Sequence, residues 1–146
     1  HLDEPLPASM GQYQNAHTQQ WAATIGRFDG FVFVTPEYNH SVSGVLKNAI
    51  DFLYAEWNNK AAGFVSYGSV GGVRAVEHLR LVMAELQVAT VRAQVSLSLV
   101  TDFVQYHEFH PDPSKAPHVT TLLDQLVAWA GAMRTVRTAS AEPRSA

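Results

Sequence analysis

The chain has 146 residues and a formal charge of −3, and 47% of its residues are hydrophobic. That length suits one domain, and that apolar fraction supplies a full core rather than a disordered chain. Lys and Arg are few and scattered, which argues against a nucleic-acid surface. No apolar run reaches the roughly 18 residues of a membrane helix, and the absence of Cys excludes disulfides, thiolate metal sites and a thiol nucleophile. The opening HLDEPLPASMG is polar and Pro-rich, unlike a secretory leader, so the expected location is cytoplasmic.

Leu2 to Met10 carries two prolines and reads as a loop. Thr18, Trp21, Ala22 and Ile25 have helical spacing, ending near the turn signal Asp29-Gly30. Phe31 to Val34 is a continuous apolar run, which predicts a parallel strand buried on both faces. Val42, Val45, Leu46, Ala49, Ile50 and Leu53 then form an amphipathic stripe, with Ser41 or Ser43 as its cap. Ala61 to Tyr67 is a second strand, followed directly by the Gly-rich GSVGG from Gly68 to Gly72. Val73, Val76, Leu79, Met83 and Leu86 predict the next helix, and Val88 to Leu97 a third strand. Phe103 to His118, with three prolines and three histidines, reads as a long loop. Leu122 to Met133 forms a last helix, and the small, polar TASAEPRSA frays after it. The expected domain is 1–139, with 140–146 a flexible tail.

Alternating helices and strands predict an α/β fold with a parallel sheet. Ligands of such sheets bind beyond the carboxyl ends of the strands. The loops TPEYN and YGSVGG follow successive strands at that edge, so they are expected to be neighbours. Pro36 ends its strand, leaving amides after it without sheet partners. Gly68, Gly71 and Gly72 permit positive φ and a close approach of ligand to backbone. The helix that starts near Gly72 points its positive end the same way. A slot with backbone donors, one aromatic ring and few charges suits a planar heterocycle.

Other chemistries fit less well. His107, Glu108, His110 and His118 lie in a Pro-rich loop without the H-E-x-x-H spacing of a zinc peptidase. Ser66 and Ser69 lack the G-x-S-x-G elbow of a hydrolase. Lys47 and Asp51, one helical turn apart, read as a surface pair. Trp21, Trp57 and Trp129 read as packing residues.

TPEYNHSVSGVLKNAIDF followed by YGSVGGVRAVEHLR closely resembles the NADPH-dependent FMN reductase family of flavodoxin-like proteins, which includes quinone, azo-dye and chromate reductases. The resemblance spans roughly Leu2 to Leu99. It implies a flavodoxin-like three-layer α/β/α sandwich and an FMN cofactor, with NADPH or NADH as reductant. By the same resemblance, Pro36, Glu37, Tyr38 and Asn39 contact the flavin, while Tyr67, Gly68, Ser69 and Gly71 border its ring. It also implies a small-molecule electron acceptor and a homodimer or homotetramer, with neither nucleic acid nor membrane as partner. The family's first strand, phosphate-binding loop, first helix and second strand have no counterpart in the sequence. Phe31 to Val34 is then expected to be an unprotected sheet edge unless a preceding segment or another chain supplies a strand. A flavin-free interaction module and a flavodoxin-like electron carrier are the alternative readings.

Overall fold

The structure, a computed structural model, describes residues 1–141. After a short 3₁₀ turn at Ala8–Met10, helix α1 (Ala16–Gly26) leads into strand β1 (Gly30–Pro36). Helix α2 (Gly44–Asp51), strand β2 (Ala61–Gly68), helix α3 (Val73–Glu85) and strand β3 (Ala89–Ser98) follow. A small hairpin, β4 (Phe103–Val104) and β5 (Glu108–Phe109), precedes the long helix α4 (Lys115–Ala141). β1, β2 and β3 form one parallel sheet in that order. The fold is α/β with a parallel sheet, as the alternation of elements predicts.

Two cores sandwich the sheet. On one face Phe33 and Phe64 pack with Ile50 of α2, with Leu53 and Trp57 beyond it, and with Val76, Leu79 and Met83 of α3. On the other, Val91, Val95 and Leu97 meet Leu122 and Leu126 of α4. The start of α2 follows the expected chemistry. The Ser43 hydroxyl accepts from the Leu46 amide at 3.3 Å and caps α2. The Lys47–Asp51 pair forms at 2.7 Å on the outer side of that helix.

The structure corrects the sequence reading in three places. β1 is not buried on both faces: Phe33 is covered, but Val32 and Val34 on the α4 side are 39% and 62% exposed. Phe103 to His118 is not one loop, because it holds the hairpin and the first turn of α4. Pro117 is tolerated there, since a first-turn residue needs no amide donor. Finally α4 continues through Thr138 to Ala141 instead of fraying. Residues 142–146 of the expected tail lie outside the described residues.

The two sheet edges differ. On β3, Arg80 Nη1 donates to the Val91 carbonyl at 2.8 Å, Gln125 Oε1 accepts from the Ala93 amide at 2.9 Å, and Lys115 Nζ donates to the Ser96 carbonyl at 2.9 Å. On β1, no side chain among the described residues bonds the outward backbone groups of 31–34. β3 is therefore a closed edge and β1 an open one, which exposes a template for strand pairing.

Candidate active site

The carboxyl ends of the three strands carry the loops 37–43, 69–72 and 99–114. The first two touch. The Glu37 amide extends the β1–β2 ladder by donating to the Tyr67 carbonyl at 2.9 Å. A Cβ placed on Gly68 would lie 3.2 Å from the Glu37 Cβ, so no side chain larger than glycine's fits between the loops without movement.

Loop 37–43 makes a tight reversal. Tyr38 and Ser41 exchange backbone hydrogen bonds of 2.9 and 3.0 Å. Asn39 and His40 between them adopt φ of 49° and 69°. Two successive left-handed residues, neither of them glycine, store strain, and such strain concentrates at ligand sites. Tyr38 projects outward with 63% of its surface exposed.

Glu37 holds this loop to α3. Its side chain is only 5% exposed, Oε1 accepts from Arg74 Nε at 2.5 Å and Oε2 accepts from the Arg74 amide at 3.1 Å. Burial alone would raise its pKa, but the Arg74 guanidinium and the amides of Arg74 and Ala75 hold it below the usual carboxylate value. Arg74 Nη1 lies 2.8 Å from His40 Nε2, which ties the far side of the reversal to the same clamp. An arginine only donates, so His40 Nε2 accepts in this contact. The start of α3 thus already has its carboxylate. It is not a free positive end for a ligand anion, contrary to the sequence expectation.

Loop 69–72 is pinned from below. Ser66 Oγ donates to the Gly71 carbonyl at 2.7 Å, and the amides of Gly71 and Leu99 both donate to the Gly68 carbonyl, at 3.1 and 3.0 Å. Gly71 and Gly72 have φ of 78° and 70°, as their left-handed turn requires. Gly68 does not. A Cβ on Gly71 would sit 2.9 Å from the Ser96 Cβ, and one on Gly72 would sit 2.9 Å from the Tyr67 nitrogen. Packing onto the sheet by itself requires glycine at both positions.

What faces outward is backbone. The amides of Asn39, His40, Ser69 and Val70 have no partner among the described residues. All four residues are exposed, at one edge of the sheet, whereas Val42, Ser43 and Gly72, whose amides are also unpaired, are partly or fully buried. Unpaired donors at the ends of parallel strands are groups that a ligand with several acceptors can satisfy. A flavin ring has such acceptors in its carbonyls and ring nitrogens, so the donor set fits that ring. Of the expected residues, Tyr38, Asn39 and Ser69 are exposed at the site, and Pro36 is half-buried at the end of β1, opposite Tyr67. The structure sets Glu37, Gly68 and Gly71 behind the exposed residues, and it turns Tyr67 onto the α4 side of the sheet, against Phe103 at 6.0 Å between ring centroids.

Sequence reasoning missed Asp102 and Arg74. Asp102 is fully buried and closes the third loop. It accepts from the amides of Ser98 at 2.8 Å and Asp112 at 3.2 Å, with Lys115 Nζ 3.6 Å away. Burial opposes its charge, but these donors and the Lys115 charge hold its pKa below the usual carboxylate value.

The sequence profile of the NADPH-dependent FMN reductase family matches residues 1–102. The chain belongs to this family. An NAD(P)H-dependent FMN reductase of Nectria sp is 41% identical over 108 residues, covering 68% of this chain and 53% of the relative. A protein of Escherichia coli named quinone reductase is 43% identical over 77 residues, covering 49% of this chain and 41% of that protein. The chain therefore spans about half the length of the curated relatives it matches. Among solved structures, the flavoenzyme NAD(P)H:(acceptor) oxidoreductase FerB of Paracoccus denitrificans superposes with a TM-score of 0.67 at 20% identity, covering 88% of this chain and 77% of that one. That likeness supports the flavodoxin-like fold.

Proposed function

We propose that the chain carries the ring-binding half of an FMN-dependent NAD(P)H oxidoreductase that reduces quinones, azo compounds, flavin or a similar small acceptor. The observation that carries this reading is the set of four unpaired amides, Asn39, His40, Ser69 and Val70, on two adjoining loops of a chain in the FMN reductase family. The relatives named quinone reductase and 2-hydroxy-1,4-benzoquinone reductase favour a quinone as acceptor. Bound FMN supplies the hydride and electron chemistry; the protein supplies position and electrostatics.

In this reading the amides of loops 37–43 and 69–72 hold the ring, and Pro36, Tyr38 and Ser69 line its surroundings. Glu37, Arg74, Gly68 and Gly71 act from behind by fixing the loops. Tyr38 flanks the face where reductant and acceptor enter in turn, so double-reciprocal plots are parallel. The anchor for the FMN phosphate lies elsewhere than α3, whose first amides already serve Glu37. The open β1 edge pairs with a further parallel strand. We also propose a cytoplasmic location and a homodimer or homotetramer. Among the described residues no helix is long and apolar enough to cross a membrane.

The test is FMN affinity, by quenching of flavin fluorescence, in wild type and Ser69→Pro. Proline removes one of the four amides at an exposed position. A lost hydrogen bond of about 1 kcal/mol weakens binding about fivefold. Equal affinity, with thermal stability unchanged, removes loop 69–72 from the site.

A further inference from the structure

A groove of about 450 Å³ runs along the outer side of β3, between the start of α3 and the first turns of α4. It is lined by Arg92, Gln94 and Ser96 of β3, Val73 of α3, and His118 and Thr121 of α4. No carboxylate lines it, although the chain as a whole carries a charge of −3. The Arg92 guanidinium has no ion-pair or hydrogen-bond partner among the described residues, and neither does the His118 ring. The other arginine at this edge is engaged, since Arg80 bonds the Val91 carbonyl.

The groove is also closed to the usual occupant of a sheet edge. Arg80, Gln125 and Lys115 already bond the Val91, Ala93 and Ser96 backbone groups that a pairing strand would need. Polar side chains of β3 line part of the wall. The Gln94 amide nitrogen reaches Ser66 Oγ and Ser96 Oγ, each at 3.3 Å, and holds these hydroxyls in place. One end of the groove is the candidate active site's own support, since Ser96 lies directly beneath Gly71.

We infer that this groove binds a small anion carrying a tetrahedral oxyanion group, an organic phosphate or a sulfonate, with Arg92 as its charge partner. The guanidinium offers paired N–H donors that match such oxygens, and charge-assisted hydrogen bonds of this kind are stronger than neutral ones. Gln94, Ser96 and Thr121 supply neutral polar groups along the floor, and His118 stands opposite. The groove's edge is too capped for a peptide strand. This inference stands apart from the flavin reading, and its test contains neither flavin nor nicotinamide.

The experiment is an NMR titration of the full chain at fixed ionic strength, with inorganic pyrophosphate in one arm and benzenesulfonate in the other. The expected result is saturable shifts at the Ala93, Ser96 and Thr121 amides and the His118 ring. The tighter of the two probes identifies the class of anion. Arg92→Glu should weaken that probe at least tenfold. Arg27→Glu makes the same charge change at an exposed position outside the groove and should leave the affinity within twofold. Neither probe saturating at these residues, or both variants weakening it equally, overturns the inference.

Discussion

Gly72→Ala tests whether the Gly-rich loop is shaped by its own sheet. Gly72 has φ of 70°, a conformation that costs an L-residue about 1 kcal/mol. The added Cβ would stand 2.8 Å from the Ser66 Cβ, 2.9 Å from the Tyr67 nitrogen and 3.0 Å from the Tyr67 oxygen. Two of these are backbone atoms of β2, the central strand, held on both sides by β1 and β3. They cannot move aside cheaply, so overpacking adds about 1–3 kcal/mol. The sum is roughly 2–4 kcal/mol, or a drop in Tm of about 10 °C for a domain of this size. Gly71→Ala meets the Ser96 Cβ at 2.9 Å on β3, which lies at the edge of the sheet and yields more easily, so its loss should be smaller. Gly44→Ala, at the first position of α2 with nothing within 4 Å, should be neutral or stabilise by about 0.5 kcal/mol. Thermal unfolding followed by circular dichroism at one protein concentration ranks the three. A Gly72→Ala protein melting within about 2 °C of wild type refutes the packing argument.

Three further outcomes follow from the same geometry. Glu37→Gln removes the charge that Arg74 and the α3 amides share, and should cost about 2 kcal/mol in urea unfolding while loosening loop 37–43 in hydrogen exchange. Loss of stability without faster exchange at Asn39 and His40 contradicts the clamp. Glu37 and Asp102 both have pKa values lowered by folding, so their contribution is present above the unfolded carboxylate values and fades as pH falls through the lower folded values. Stability should therefore drop below about pH 4, and Glu37→Gln should flatten that limb; an unchanged limb removes Glu37 as a source. Val34→Lys places a charge on the open side of β1, where the native residue is 62% exposed. It should reduce self-association in sedimentation velocity without lowering Tm by more than about 2 °C, and undiminished association shows that this edge is not the contact.

Much of the sheet was legible in the sequence because each face of each element repeats its own letters. Val42 to Leu53 and Val73 to Leu86 show one apolar stripe each, and both became helices against the Phe33–Phe64 face. Phe31 to Val34 misled because four apolar residues in a row look the same whether or not a second layer covers them. Here the phenylalanines face a core while Val32 and Val34 do not. The hairpin at Phe103 to Phe109 gave no signal, since its turn puts Gln105 and Tyr106 at φ of 50° and 65° without the usual Asn-Gly or glycine. Pro117 hid the start of α4, because a proline that breaks a helix interior is harmless in its first turn.

The sequence showed that the loops 37–43 and 69–72 adjoin at one edge of the sheet, and the structure brings them into contact. The sequence could not divide donors from supports. Glu37 is an acid beside a ligand loop, and only the approach of Arg74, 37 residues away, makes it a clamp. Asp102 likewise acquires its role from Ser98, Asp112 and Lys115, three partners brought together by the third loop. At Gly71 the sequence shows a glycine beside a ligand loop, and only the structure shows that Ser96 beneath it also demands one.

The most direct test of the flavin reading is an amide-resolved NMR titration of the chain with FMN. The account predicts that the Asn39, His40, Ser69 and Val70 amides shift together and saturate at one concentration, while the Gly71 amide, already bonded to Gly68, moves less. If FMN binds with those four amides unmoved, or shifts only residues of the β3 groove, the two loops are not its ring site.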